Sequence, residues 1–427
     1  MTEEPRILFT DLGLPAELLE GVKAAGFEAC TPIQAQTLPY ALQGKDIAGQ
    51  AQTGTGKTAA FLLAAFNQLL RNPPKQRSEQ PAPRAVVIAP TRELAIQIHA
   101  DALILGQATD FKMEVVFGGA DYDKQRQALE QGVDVLVGTP GRLIDYFKQK
   151  VFTLSKVEVI VLDEADRMFD LGFIADIRYV MRRLPPAEKR LNLMFSATLN
   201  QRVLELAYEH MNEPKAVRIE PDKVTVDTVT QTVYFPGNHE KAPLLIWLLR
   251  NMNAVRTMVF VNTKREADYL ARLMQHNGLE ARATSSDVPQ RQRMRMLKDF
   301  QSGALPVLVA TDVASRGLHV PGVSHVINYD LPQDPEDYVH RIGRTARAGA
   351  SGDAISFACE TYAFTLPEIE AFIGHRIPTG SFDARELPEV SKPPHRPRPH
   401  SGPRRKGGGS NRSSGDGTRR KPGRRRR

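Results

Sequence analysis

The sequence predicts an α/β protein of two similarly folded domains in tandem, each a parallel sheet flanked by helices. Three observations predict it. Short apolar, β-branched runs alternate with helical patterns along most of the chain. The runs are unbroken, as in strands buried on both faces. Two of them recur at one offset: VVIAPTRELA from Val86 is echoed by MVFVNTKREA from Met258, and VLVGT from Val135 by VLVAT from Val307, each 172 residues later. One such pair is weak, because any buried strand resembles VLV. Two pairs at a shared offset, each ending in threonine, indicate a repeated domain.

The expected strands of the first domain are 85–89, 114–117, 133–137, 157–162 and 191–195, and those of the second are 257–261, 306–310, 325–328 and 353–357. The polar stretch IEPDKVTVDT (219–228) reads as the linker. The expected divisions are an entry segment 1–37, a first domain 38–218, a second domain 229–388 and a tail 389–427. From Ser391 to Arg427 there are 14 Lys+Arg, one acid (Asp416) and no Ala, Val, Ile, Leu, Met, Phe, Trp, Tyr or Cys. Such a segment has nothing to bury and is expected to be disordered. It reads either as a solubiliser or, preferably, as a nucleic-acid arm, since arginine pairs with phosphate.

The whole chain of 427 residues carries a net charge of +8, but without those last 37 residues the body holds 43 basic against 48 acidic residues. Two distant cysteines, Cys30 and Cys359, exclude a disulfide scaffold and a Cys-rich zinc site. The acidic start has no apolar stretch of signal-peptide length, and the longest apolar run, AAFLLAAF (59–66), is far short of a span. The expectation is a cytoplasmic protein with no membrane segment.

AQTGTGKT (51–58) lies between a strand-like run and a helical one, the setting of a phosphate-binding loop. Small residues let the backbone N–H groups of Ala51, Gln52, Thr53, Gly54, Thr55 and Gly56 wrap phosphates at a helix N-terminus. Lys57 would reach the β- and γ-phosphates and Thr58 would hold Mg²⁺. VEVIVLDEAD (157–166) is a buried strand that ends in carboxylates. Asp163 sits where open α/β sheets bind ligands and would hold the metal. Glu164 would orient and deprotonate a water. Together these indicate hydrolysis of ATP or GTP. Arg341, Arg344 and Arg347 recur at spacing three in HRIGRTAR, either as a solvated helix face or as arginine fingers that complete the first domain's site.

From about Phe9 to residue 388 the chain resembles the DEAD-box RNA helicases. GFEACTPIQ (26–34) is similar to the Q motif. AQTGTGKT, PTRELA (90–95), Gly118–Gly119, TPGR (139–142), DEAD (163–166), SAT (196–198), VFVNT (259–263), Gln290 with Arg293, ATDVASRG (310–317) and HRIGRTAR follow in the family's order. The resemblance implies two RecA-like domains and an RNA-stimulated ATPase that unwinds duplexes locally. It implies that Gln34 reads adenine with Phe9 as stacking partner, and that Asp166, Ser196, Thr198 and His340 couple the ATP state to domain closure. Arg344 and Arg347 match the finger positions. Arg92, Gly119, Thr139, Arg142, Arg293 and Thr311 match residues that hold the RNA backbone, a contact with little sequence information. His319, Ala346 and Ser286 depart from the family pattern, which has aspartate, glycine and glycine there. The likeness is nearest to members of bacterial RNA-degradation assemblies, which implies RNase E as partner and a monomeric enzyme. An annealing protein with a vestigial ATPase is disfavoured by the intact Lys57, Thr58, Asp163, Glu164, Arg344 and Arg347. A DNA helicase is disfavoured by the Q motif and the sequence DEAD.

Overall fold

The computed structural model describes residues 7–51, 54–73, 80–219, 229–252, 255–284, 288–315, 322–345 and 352–394. Met1 to Ser391 form one compact unit. It holds two sheets, all of whose pairings are parallel.

The first sheet contains β1 (Ile47–Gln50), β2 (Ala85–Ile88), β3 (Met113–Val116), β4 (Val135–Gly138), β5 (Val159–Leu162), β6 (Leu191–Ser196) and β7 (Lys215–Arg218). Its spatial order is β3-β4-β2-β5-β6-β1-β7. The second sheet contains β8 (Val229–Tyr234), β9 (Thr257–Phe260), β10 (Ala281–Thr284), β11 (Val307–Ala310), β12 (His325–Asn328) and β13 (Gly352–Phe357), in the order β10-β11-β9-β12-β13-β8. Read by chain order within each domain, the first six positions of the two sheets correspond strand for strand, and β7 is an addition to the first. The repeat at offset 172 is β2 with β9 and β4 with β11, so the echo in sequence is an echo in fold.

Helices cover both faces of each sheet because the central strands are apolar on both. The helix Lys57–Arg71 runs under the first sheet, with Phe61, Leu62, Leu63 and Phe66 fully buried. Each such side chain contributes about 1.5–3 kcal/mol relative to exposure. The opposite face packs Tyr146, Phe152 and Met168. In the second sheet Leu244, Leu270 and Met274 cover one face, and Phe300 and Met296 lie on the other. No helix among the described residues is long and apolar enough to cross a membrane.

The parallel strands bring all their C-terminal ends to one rim in each sheet. In the first sheet that rim carries the turns after β1, β2, β3, β4, β5 and β6, which hold the motif residues.

Candidate active site

Beyond β1 the chain turns through the glycine loop into the helix at Lys57. Gly54 and Gly56 have φ of +89° and +92°, a left-handed region that side chains enter only at a cost. A Cβ on Gly56 would also lie 2.5 Å from Gln34 Nε2 and 2.9 Å from Thr31 Oγ1. The glycine therefore lets the entry segment dock on the loop. Gln34 Nε2 donates to Gly56 O at 3.0 Å, and Gln34 Oε1 accepts from Thr31 N at 2.9 Å. Gln34 is buried, and both ends of its amide are engaged. Phe9 is only 2 % exposed, stacked on Phe27 with ring centroids 6.2 Å apart. The expected stacking role does not suit a ring so enclosed. Phe27, which was not expected from the motif pattern, is 41 % exposed and offers the open ring.

Lys57 is buried at the helix start, and its Nζ donates to Ala51 O at 2.5 Å. Thr58 follows on the first turn. Asp163 stands at the end of β5, 3 % exposed. Burial, with Glu164 and Asp166 adding to it against the pull of Lys57, pushes its carboxyl up to about 7. Its Oδ1 accepts from Glu164 N at 2.9 Å.

Glu164 adopts φ 51°, ψ 53°, a left-handed conformation at the N-cap of the helix Ala165–Asp170. For a residue with a Cβ this costs of order 1–3 kcal/mol and is sustained by surrounding contacts. Those contacts include Arg167, whose Nη1 donates to Glu164 Oε2 at 2.8 Å. Burial raises the Glu164 carboxyl, but Arg167, Lys57 and Arg344 outweigh it and hold the group below its ordinary value. Arg167 lies three residues on, so helical spacing alone could have revealed it.

Asp166 turns the other way. Its Oδ2 accepts from Ala197 N at 3.1 Å and Thr198 N at 3.2 Å, and its backbone N–H donates to Ser196 Oγ at 3.1 Å. The ends of β5 and β6 are thus tied together. A cavity of about 250 Å³ opens between the domains, lined by Lys57, Glu164, Asp166, Thr198, His340 and Arg344 among others. A larger cleft of about 1140 Å³ lies at the opposite rim of the first sheet, by the N-terminal ends of its strands, beside Arg84, Lys112, Asp134 and Glu158. It contains none of the motif residues.

Arg341 and Arg344 do not share a helix face. The helix Pro335–Ile342 ends before Arg344, and Arg341 turns into the core, 1 % exposed. Arg341 Nε and Nη2 donate to the two carboxylate oxygens of Asp312 at 2.6 and 2.7 Å, and Nη1 donates to Asp330 O at 2.6 Å. Buried polar surroundings, invisible to spacing, decide its direction. Arg344 reaches the cavity instead.

The remaining motif residues occupy the rest of the rim. Arg92 begins the helix after β2, and a Cβ on Gly119 would lie 2.6 Å from its Nη1. Thr139 precedes the helix Pro140–Lys148 after β4, which carries Arg142. In the second domain Thr311 follows β11 and is buried. Arg293 Nη2 donates to Ala314 O at 2.8 Å, and its Nε lies 3.3 Å from Glu93 Oε1. Gln290 Nε2 donates to the same Glu93 oxygen at 2.9 Å. Glu93 therefore joins the domains across nearly 200 residues of chain, a contact no local pattern signals. Gln52, Thr53, Ser286, His319, Ala346, Arg347, the linker from residue 220 to 228 and the tail from residue 395 lie outside the described residues.

Residues 31–206 match the DEAD/DEAH box helicase family and residues 240–349 the helicase conserved C-terminal domain. The chain is 54 % identical over 400 residues to the ATP-dependent RNA helicase RhlB of Xanthomonas axonopodis pv. citri, covering 93 % of this chain and 70 % of that one. The chain belongs to the DEAD-box family of ATP-dependent RNA helicases. Shewanella denitrificans RhlB is 51 % identical over 95 % of both chains. The DEAD-box fold also matches S. cerevisiae Dbp5 bound to RNA and ADP BeF3, with TM-score 0.77 and 33 % identity over 87 % of this chain and 95 % of that one. The family's chemistry is ATP hydrolysis, and the two RecA-like sheets are its architecture.

Proposed function

We propose that this DEAD-box protein hydrolyses ATP in the cleft between its domains and uses closure of that cleft to bend and locally separate duplex RNA. The observation that carries the reading is the division of labour among three carboxylates at the end of β5. Asp163 is buried beside Lys57, Glu164 faces Arg344 of the second domain, and Asp166 is tied to Ser196 and Thr198.

A divalent cation fits Asp163. Burial disfavours the bare charge of this carboxylate, which a positive partner would stabilise, and Thr58 supplies a neutral oxygen on the adjoining helix turn. Mg²⁺ bound by Asp163 and Thr58 would neutralise phosphate charge. Lys57 and the N–H groups of the glycine loop hold the phosphates. Glu164, strained toward the cleft, orients and deprotonates the attacking water. Arg344, with Arg347, stabilises charge on the transferred phosphoryl group from the second domain. Gln34 is tied to the phosphate loop and reads adenine, with Phe27 rather than Phe9 as the stacking ring. Asp166, Ser196, Thr198 and His340 relay the nucleotide state to the domain contact. Arg92, Gly119, Thr139, Arg142, Arg293 and Thr311 hold the RNA backbone, so sequence preference is weak.

The reading extends to a monomeric cytoplasmic enzyme that assists RNA decay, with RNase E as partner; a pull-down with tagged full-length protein tests that. The central test is Glu164→Gln. It is expected to lower RNA-stimulated ATP turnover by about 10²–10⁴-fold while ATP and RNA binding persist. Near wild-type turnover would remove Glu164 from this role.

A further inference from the structure

Arg142, half-buried, is held differently from four of the fold's enclosed arginines. Arg84, Arg167, Arg293 and Arg341 each face a carboxylate, at 2.7, 2.8, 3.3 and 2.6 Å. Arg142 makes no ion pair among the described residues. Its guanidinium lies over the ring of Tyr122, 4.8 Å from the centroid, and near that of Tyr146, at 5.4 Å. Its Nη1 donates to Tyr146 Oη at 3.1 Å.

The two rings form a braced unit. Their centroids are 4.9 Å apart, and Tyr146 Oη donates to Tyr122 O at 2.7 Å. The Tyr122 hydroxyl accepts from Gln149 Nε2. Tyr146 is fully buried on the helix Pro140–Lys148, whereas Tyr122 is partly exposed at the start of the helix Tyr122–Glu130, three residues beyond Gly119. The seat therefore lies on the rim that also carries Gly119, Thr139 and Arg92.

A carboxylate would hold the guanidinium as well, but it would cancel the charge a phosphate is attracted to. Aromatic faces orient a cation without neutralising it. We infer that Tyr122 is a positioning residue for nucleic acid: with Tyr146 it forms an aromatic seat that pre-sets Arg142, uncancelled, for a backbone phosphate. This rests on the reading of Arg142 as an RNA contact. Tyr122 touches no RNA in this proposal; it acts through Arg142.

The measurement is RNA-stimulated ATPase of the full chain, titrated with a single-stranded oligoribonucleotide. Tyr122→Ala is expected to raise the half-maximal RNA concentration by about threefold to fivefold, the equivalent of one cation–π contact. The effect should fall on RNA concentration rather than on maximal rate. Tyr122→Leu keeps apolar bulk against the helix and should behave like Tyr122→Ala, so the test survives if the alanine variant misfolds. Tyr122→Phe keeps the ring and should restore wild-type affinity. In an Arg142→Ala background the Tyr122→Ala change should add nothing.

If Arg142→Ala leaves RNA affinity unchanged, the RNA reading of Arg142 fails and takes the inference with it. If Arg142→Ala weakens RNA but Tyr122→Ala and Tyr122→Leu do not, the inference alone is overturned. It is also overturned if Tyr122→Phe is as weak as Tyr122→Ala, or if the effect persists without Arg142.

Discussion

The corresponding ends of β1 and β8 put the same residue type to opposite uses. Lys57 lies seven residues after Gln50, and Lys241 lies seven after Tyr234; each begins the following helix and each is 6 % exposed. The partner carboxylates also correspond, Asp163 just beyond β5 and Asp330 just beyond β12. In the first domain Lys57 makes no ion pair among the described residues, and its ammonium rests on Ala51 O. In the second domain Lys241 Nζ meets Asp330 Oδ1 at 2.6 Å, between the rings of Tyr329 and Tyr362 at 4.2 and 5.3 Å. Asn262 N completes the enclosure by donating to Asp330 Oδ2 at 3.0 Å. In the function proposed above, a lysine and an aspartate at these strand ends serve phosphate and metal when they stay apart beside an open glycine loop. When they touch, their charges cancel and the pair becomes a strut.

The sharpest break of this comparison is a pair of identical substitutions. Lys57→Met should lower RNA-stimulated ATP turnover by about 10²–10³-fold, the scale of losing one preorganised electrostatic donor, with little loss of thermal stability. Lys241→Met should do the reverse. Removing one member of a buried pair costs about 3–5 kcal/mol, read as a lower denaturation midpoint, while the folded fraction still turns over ATP. Equal losses of activity from both would mean that the second domain's pair takes part in nucleotide chemistry.

A smaller effect sharpens the same point. Replacing both strut residues, Lys241→Met with Asp330→Leu, should recover most of the stability lost in Lys241→Met, because well-packed apolar groups often match a buried ion pair. A double variant as unstable as the single one would show that the Asn262 and tyrosine contacts, not the charge pair, hold this end of the sheet. Gly56→Ala tests the loop. It forces a Cβ into a left-handed conformation and against Gln34, so about 1–3 kcal/mol of strain should appear as weaker ATP binding. Circular dichroism melts and ATP titration together read it, and unchanged ATP affinity would detach Gln34 from the loop's function.

The smallest expected effect concerns the basic tail. Truncation after residue 390 should leave the ATPase intact and reduce the salt dependence of RNA binding, by a log–log slope of about 0.7 per single-strand phosphate no longer neutralised. Equal slopes for the two proteins would make the tail a solubiliser.

The sequence alone determined the fold class, the tandem repeat and where the glycine loop and the carboxylates stand after β1 and β5. The physical reason is local. A strand buried on both faces must be apolar at every position, as Val159–Leu162 is, and a phosphate loop must be small residues between a strand and a helix. The three strands it did not reveal, β7, β8 and β10, all lie at sheet edges. An edge strand is covered on fewer sides, so polar residues intrude, and exposed or half-buried positions alternate with buried ones in Val229–Tyr234. Only the tertiary structure decided which way the arginines face. Arg341 and Arg344 are three residues apart, yet one is locked to Asp312 in the core and the other lines the cleft. It likewise decided that Phe9 is enclosed while Phe27 is open, and that Glu93 meets Gln290. Such choices depend on partners brought together from distant parts of the chain, and spacing along one segment holds no information about a neighbour supplied by another.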